Sequence, residues 1–147
     1  MAVVSESIVI KRKPTEVFDY VLDSTNQPSW EKVVVSVTPD DGRNVVHEGS
    51  RLTYQMRGPG GLKYPATSVI SDLVPGRRGT YTVTSRFGAF RGSYIVEDHP
   101  EGTKFVHEID VAPAAKGLKR TMARTLLPTT RRDVRAGLEA LRANLEG

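Results

Sequence analysis

The chain has 147 residues, of which 38% are hydrophobic and 26% charged, and it contains no cysteine. One domain spanning residues 1–147 is expected, able to bury about 70% of its unfolded surface, and disulfides, thiol nucleophiles and cysteine-ligated zinc are excluded. No apolar run approaches the ~20 residues of a membrane span, and the first ten residues carry Glu6 and several serines, unlike a signal peptide. A soluble cytoplasmic protein is the expectation. The net charge of +4 is uneven: residues 1–112 hold 13 Lys and Arg against 14 Asp and Glu, whereas 113–147 hold 8 against 3.

Residues 5–11 alternate like a half-buried strand, with Ile8 and Ile10 on one face. Pro14 then presets φ at a position where its missing N–H is harmless, which marks a helix start. Val17, Phe18, Val21 and Leu22 supply that helix with an apolar stripe, and Pro28 is read as its limit before Trp30. Residues 33–37 form a β-branched strand ended by Pro39-Asp40-Asp41-Gly42. In 51–57, Leu52, Tyr54 and Met56 alternate with polar neighbours, and Gly58-Pro59-Gly60-Gly61 turns the chain into a strand from about 63 to 73. After Pro75-Gly76, residues 79–87 set Tyr81, Val83, Ser85 and Phe87 on one face; Gly88 reverses into 90–97, and His99-Pro100-Glu101-Gly102 leads to 103–111. A period of two with closely spaced turns predicts antiparallel hairpins and a meander.

After Pro113 the period changes. Leu118, Met122, Leu126, Thr130, Val134, Leu138, Leu141 and Leu145 recur every three or four residues, predicting an amphipathic helix over 114–146 with a bend near Pro128. Lys119, Arg124, Arg131, Arg135 and Arg142 lie on its other side. They read as a solvated face, with peripheral contact to an anionic membrane as the alternative. Nucleic-acid binding is disfavoured, because no exposed aromatics interleave the basic residues for base stacking. Thr125, Thr129, Thr130 and Gly137 make the middle of the helix small, which leaves space between helix and sheet.

Five segments in this order, Pro14-Thr15-Glu16-Val17-Phe18, Asn26-Gln27-Pro28-Ser29-Trp30, Glu48-Gly49-Ser50-Arg51, Val74-Pro75-Gly76-Arg77-Arg78 and Glu101-Gly102-Thr103-Lys104-Phe105, resemble the START-like (SRPBCC) superfamily of polyketide cyclases/dehydrases and lipid-transport proteins. The resemblance covers essentially the whole chain. It implies an α+β helix-grip fold: a seven-stranded antiparallel sheet wrapped around a long C-terminal helix, with two short helices after the first strand. It further implies a cavity for a small hydrophobic molecule (aromatic, polyketide-like or lipid), with aldol-type ring closure or dehydration as the alternative to simple binding.

In that arrangement Trp30, Tyr54, Met56, Tyr64, Tyr81, Tyr94, Phe105 and His107 would enclose the ligand, with Leu118 and Met122 above. The competing possibility is that these aromatics simply fill the core. His107 is the best placed acid or base, with Tyr54 and Arg86 in support; its neighbour Glu108 points to the opposite face and forms no dyad with it. The resemblance implies an interior Arg, Tyr or His that orients carbonyls, a role Arg86 or Arg91 would fill only by pointing inward. His47, in a connection, and His99, in a turn, are expected to be exposed and inert. No P-loop, dinucleotide-binding glycine pattern, nucleophile elbow or His-x-x-x-His pair is present, so neither cofactor nor metal is expected. A monomer or homodimer is consistent with all of this.

Overall fold

A computed structural model describes residues 3–110 and 127–147. Seven strands, β1 (Val3–Ile10), β2 (Val34–Pro39), β3 (Arg51–Arg57), β4 (Lys63–Val74), β5 (Arg78–Ser85), β6 (Gly88–His99) and β7 (Gly102–Asp110), form one antiparallel sheet. Its order is β1-β7-β6-β5-β4-β3-β2, so β2 to β7 run as a meander and β1 closes onto the last strand. The period of two is visible in burial: Leu52, Tyr54 and Met56 are buried between exposed Arg51, Thr53 and Arg57. Phe105, His107 and Ile109 bury the matching face of β7. Register shifts fall between Val34 and Ser36 in the β2–β3 pair and between Ser71 and Val74 in the β4–β5 pair, irregularities of the kind that raise local twist.

Between β1 and β2 lie two short helices, α1 (Pro14–Leu22) and α2 (Gln27–Trp30), joined by a single 3-10 turn at Ser24–Asn26. Pro14 begins α1 as expected, and Val17, Phe18 and Val21 are buried. Pro28 does not limit a helix. It lies in the first turn of α2, where a fixed φ and absent N–H suit a start, and α1 has already ended at Leu22 before Asp23 takes extended backbone. The carboxylate of Asp23 accepts a hydrogen bond from the Thr25 N–H at 3.0 Å, which starts the 3-10 turn.

The C-terminal helix α3 (Leu127–Glu146) packs on β1 and α2 and buries Val134, Leu138 and Leu141. The first half of the expected helix, with Leu118, Met122 and the approach to the bend at Pro128, lies outside the described residues. Of the small residues on that stripe, Gly137 meets Trp30 closely: a Cβ built on it would be 2.8 Å from the Trp30 carbonyl oxygen. Thr129 is exposed and contributes no space beneath the helix. The arginines of α3 have acidic partners. Arg135 reaches Glu6 at 2.8 Å and Arg131 the same carboxylate at 4.0 Å, Arg132 meets Asp133 at 4.0 Å, and Arg142 meets Glu139. The solvated-face reading of these positions fits that pattern.

Candidate functional site

Between the sheet, α2 and α3 lies a cavity of about 470 Å³. Its aromatic and aliphatic walls come from Trp30, Tyr54, Met56, Tyr64, Tyr81 and Val83, with His107 and Ile109 from β7 and Val134 and Gly137 from α3. The size falls within the range of drug-sized ligand pockets, and so does the mix of apolar wall and a few polar groups. Strand alternation explains the assembly: Tyr54 and Met56 share a face of β3, Tyr81 and Val83 a face of β5, and His107 and Ile109 a face of β7.

Two expected members stand behind the wall. Phe105 is completely buried and packs edge-on against Trp30, with ring centroids 6.1 Å apart, and stacks on Tyr94 at 6.0 Å. It lies two residues before His107 on β7, where the rings of Trp30 and Tyr94 cover it, and is core. Tyr94 borders a separate void of about 20 Å³, room for about one water, and is tied to the main cavity's wall through the hydrogen bond of its hydroxyl to Glu31. Leu118 and Met122 lie outside the described residues. Arg86 is exposed in the two-residue turn that joins β5 to β6, at the cavity mouth, with its guanidinium 4.9 Å from the centre of the Phe87 ring. Arg91 is also exposed. Alternation through Phe87 made both Arg86 and Phe87 read as strand residues, whereas β5 ends at Ser85.

Polar groups in the wall form two sets. In the first, the Tyr81 hydroxyl and His107 Nε2 are 2.7 Å apart, and His107 is ringed by Trp30, Tyr81 and Tyr94. Burial lowers the His107 pKa to about 3, so its imidazole is neutral at ordinary pH. Tyr81 thus supplies the partner that the chain alone did not reveal. Burial also raises the Tyr81 phenol well above its usual range.

The second set centres on Glu31, a residue that pattern reading passed over. It follows Trp30 at the end of α2 and projects into the cavity wall. Its Oε1 accepts a hydrogen bond from the Tyr94 hydroxyl, and its Oε2 accepts one from Gln27 Nε2 at 3.0 Å. Gln27 Oε1 in turn accepts from the Tyr54 hydroxyl at 3.2 Å. No cation pairs with Glu31 among the described residues. Withdrawal from water raises its pKa against the opposing pull of the two hydrogen bonds. Gln27 and Glu31 are four residues apart and share a helix face, a spacing that was visible in the chain. Beside these sets, the Trp30 indole Nε1–H is buried with no hydrogen-bond partner among the described residues.

The other two histidines are elsewhere. His47 Nε2 pairs with Asp41 at 2.8 Å, which raises the histidine pKa and lowers that of the aspartate. His99 Nδ1 accepts the Glu101 N–H at 3.1 Å within its turn.

The fold, a seven-stranded antiparallel sheet with a C-terminal helix, is shared with solved structures. Residues 1–146 match the family model described as "Polyketide cyclase / dehydrase and lipid transport". The chain belongs to this family. Among solved structures, CV1439 from Chromobacterium violaceum is 15% identical, with a TM-score of 0.72 over 100% of this chain and 99% of that one. The di-domain ARO/CYC BexL of the BE-7585A biosynthetic pathway is 21% identical, with a TM-score of 0.71 over 99% of this chain and 50% of that one. The di-domain ARO/CYC StfQ of the steffimycin biosynthetic pathway is 12% identical, with a TM-score of 0.74 over 99% of this chain and 50% of that one. The chain thus spans about half the length of each di-domain protein. No curated protein matches it. At these identities the structural likeness carries the fold.

Proposed function

We propose that this family member binds a small apolar molecule bearing oxygen functions in the cavity between its sheet and α3. The observation that carries the reading is the cavity of about 470 Å³ with an aromatic wall, a volume that a solidly packed core would not leave. The polar groups narrow the ligand class. The Tyr81–His107 pair in the wall suits an acceptor such as a carbonyl oxygen. Glu31, held by Tyr94 and Gln27, suits a hydroxyl or keto group. Aromatic and polyketide-like molecules meet both requirements; a simple alkane meets neither. Native mass spectrometry of the purified protein, followed by displacement of a fluorescent apolar probe, tests the reading. A bound molecule or a saturable probe supports it, and a protein that holds neither overturns it.

The second reading is cyclase or dehydrase catalysis, favoured by one observation: a carboxyl with a raised pKa on the wall of a ligand-sized cavity. Such a group suits proton transfer to or from a carbonyl or enol. On this reading Glu31 is the acid–base group. Tyr94 and Gln27 orient it, Tyr54 joins through Gln27, and neutral His107 with Tyr81 positions a carbonyl by hydrogen bonding. Arg86, at the mouth, meets the polar end of a long substrate. Incubation with a poly-β-ketone mimic separates the readings: a ring or dehydrated product lost in Glu31→Gln supports catalysis, and binding without product supports the carrier.

A further inference from the structure

The mouth of the cavity carries a surface that ligand binding alone does not account for. Two large apolar side chains stand exposed there, Leu62 at 51% and Phe87 at 54%. Leu62 follows the 3-10 turn Pro59–Gly61 between β3 and β4, and Phe87 lies in the turn between β5 and β6. The turns meet through Tyr64, whose ring packs edge-on to Phe87 with centroids 5.0 Å apart. They form one patch.

Four exposed cations border it. Arg57 and Lys63 face each other in register at the end of the β3–β4 pair. The Arg57 N–H donates to the Val33 carbonyl at 2.7 Å, which brings neighbouring Lys32 alongside. Arg86 lies over the Phe87 ring. None of the four has an ion-pair partner among the described residues, in contrast to the paired arginines of α3. The acids nearest the mouth are committed elsewhere: Asp133 is beside Arg132 at 4.0 Å, and Glu31 is bonded to Tyr94 and Gln27. Like charges around an apolar tip repel one another in water and find their complement at an anionic, partly apolar interface.

We propose that this end of the protein docks on an anionic lipid bilayer. Leu62 and Phe87 enter the headgroup boundary, and Lys32, Arg57, Lys63 and Arg86 meet the lipid phosphates. The cavity then opens onto the bilayer, and an apolar ligand passes between them without crossing water. A nucleic acid or an acidic protein would answer the charges but give Leu62 at the tip no apolar phase to enter. The inference goes beyond ligand binding and survives either reading of the cavity's chemistry.

Co-sedimentation with vesicles is the test. The protein should bind phosphatidylcholine vesicles containing about a third phosphatidylserine, release as salt rises, and ignore phosphatidylcholine alone. The double variants Leu62→Glu/Phe87→Glu and Lys32→Glu/Arg86→Glu should each lose about tenfold or more of that binding while keeping the thermal midpoint. Val45→Glu, at the other end of the sheet in the exposed β2–β3 connection, and Arg142→Glu on α3 should bind like the parent. Absence of binding to the anionic vesicles at low salt overturns the proposal. Equal binding by all variants does so too, and so does capture by heparin or duplex DNA with none by vesicles. Vesicle binding by a protein that takes up no apolar probe would leave docking standing and sink the cavity reading alone.

Discussion

Gly92 faces Tyr81 across the β5–β6 pair, and the tyrosine ring lies over it so closely that a Cβ on Gly92 would be 2.2 Å from the ring's Cζ and Oη. The glycine is therefore what lets Tyr81 lie flat against β6 and place its hydroxyl 2.7 Å from His107. A methyl group there must push the ring off the sheet and into the cavity. Gly92→Ala should cost about 1–3 kcal/mol of stability through overpacking and lower apolar probe affinity by partly filling the site. Paired urea unfolding and probe titration check it; a variant with parental stability and affinity would show that the ring has another place to go.

His107 gives a pH signature. Burial holds its pKa at about 3 in the native protein against 6.5 for a histidine in water. Between those values the unfolded chain binds a proton that the native wall refuses. The histidine therefore imposes no penalty above about pH 6.5, and stability falls by about 1.4 kcal/mol per unit as pH drops toward 3. His107→Phe removes that slope but leaves the Tyr81 hydroxyl unpaired, a loss of roughly 1–3 kcal/mol. The variant should be the less stable protein near neutral pH and should close or reverse the gap by about pH 4.5. A gap independent of pH would mean that His107 titrates normally.

Glu31 runs the other way. Its folded pKa is raised above 4.5 by burial, so the native state holds the proton more tightly than the unfolded chain does. The stability this supplies is complete below about pH 4.5 and is lost as pH rises through the raised value, where a charge must be kept out of water. Glu31→Gln keeps the shape and can still accept from Gln27. Its stability relative to the parent should increase from about pH 5 to about pH 8. Denaturant midpoints measured in matched buffers at the two ends decide the point, since a flat difference would place an ordinary exposed carboxylate at this position.

Much of this molecule was legible in the chain because burial on one face writes a period of two. Leu52-x-Tyr54-x-Met56 and Phe105-x-His107-x-Ile109 each group on one strand face in the chain alone, while which face turns inward is fixed only by the fold. What alternation does not encode is depth along a strand. Phe105 and His107 share a face, yet the first is sealed by Trp30 and Tyr94 while the second meets the cavity. Nor does alternation say where a strand stops: the pattern continues through Arg86 and Phe87, although the hairpin already turns there. Glu31 was missed because a lone carboxylate after a tryptophan reads as solvent-facing. Only its spacing from Gln27, joined to the tertiary approach of Tyr94 from β6, turns it into a wall residue.

Filling the cavity distinguishes wall from core. Val83 is buried on β5 and lines the cavity, so a larger side chain there has space to enter. In a packed interior, added methylenes force off-rotamer side chains and cost about 1–3 kcal/mol. Val83→Phe should instead be close to neutral in stability, because the ring replaces empty volume and adds contacts with Met56 and Ile109 across the void. The same ring should displace a bound apolar probe and reduce affinity by tenfold or more. Phe105→Ala gives the opposite pattern: about 3–5 kcal/mol of stability is lost from a sealed position, with probe affinity in the folded fraction little changed. Thermal melts and probe titrations on the two variants make the comparison. Should Val83→Phe prove as damaging as Phe105→Ala, the space between sheet and helix is filled in solution, and the ligand-binding reading falls with it.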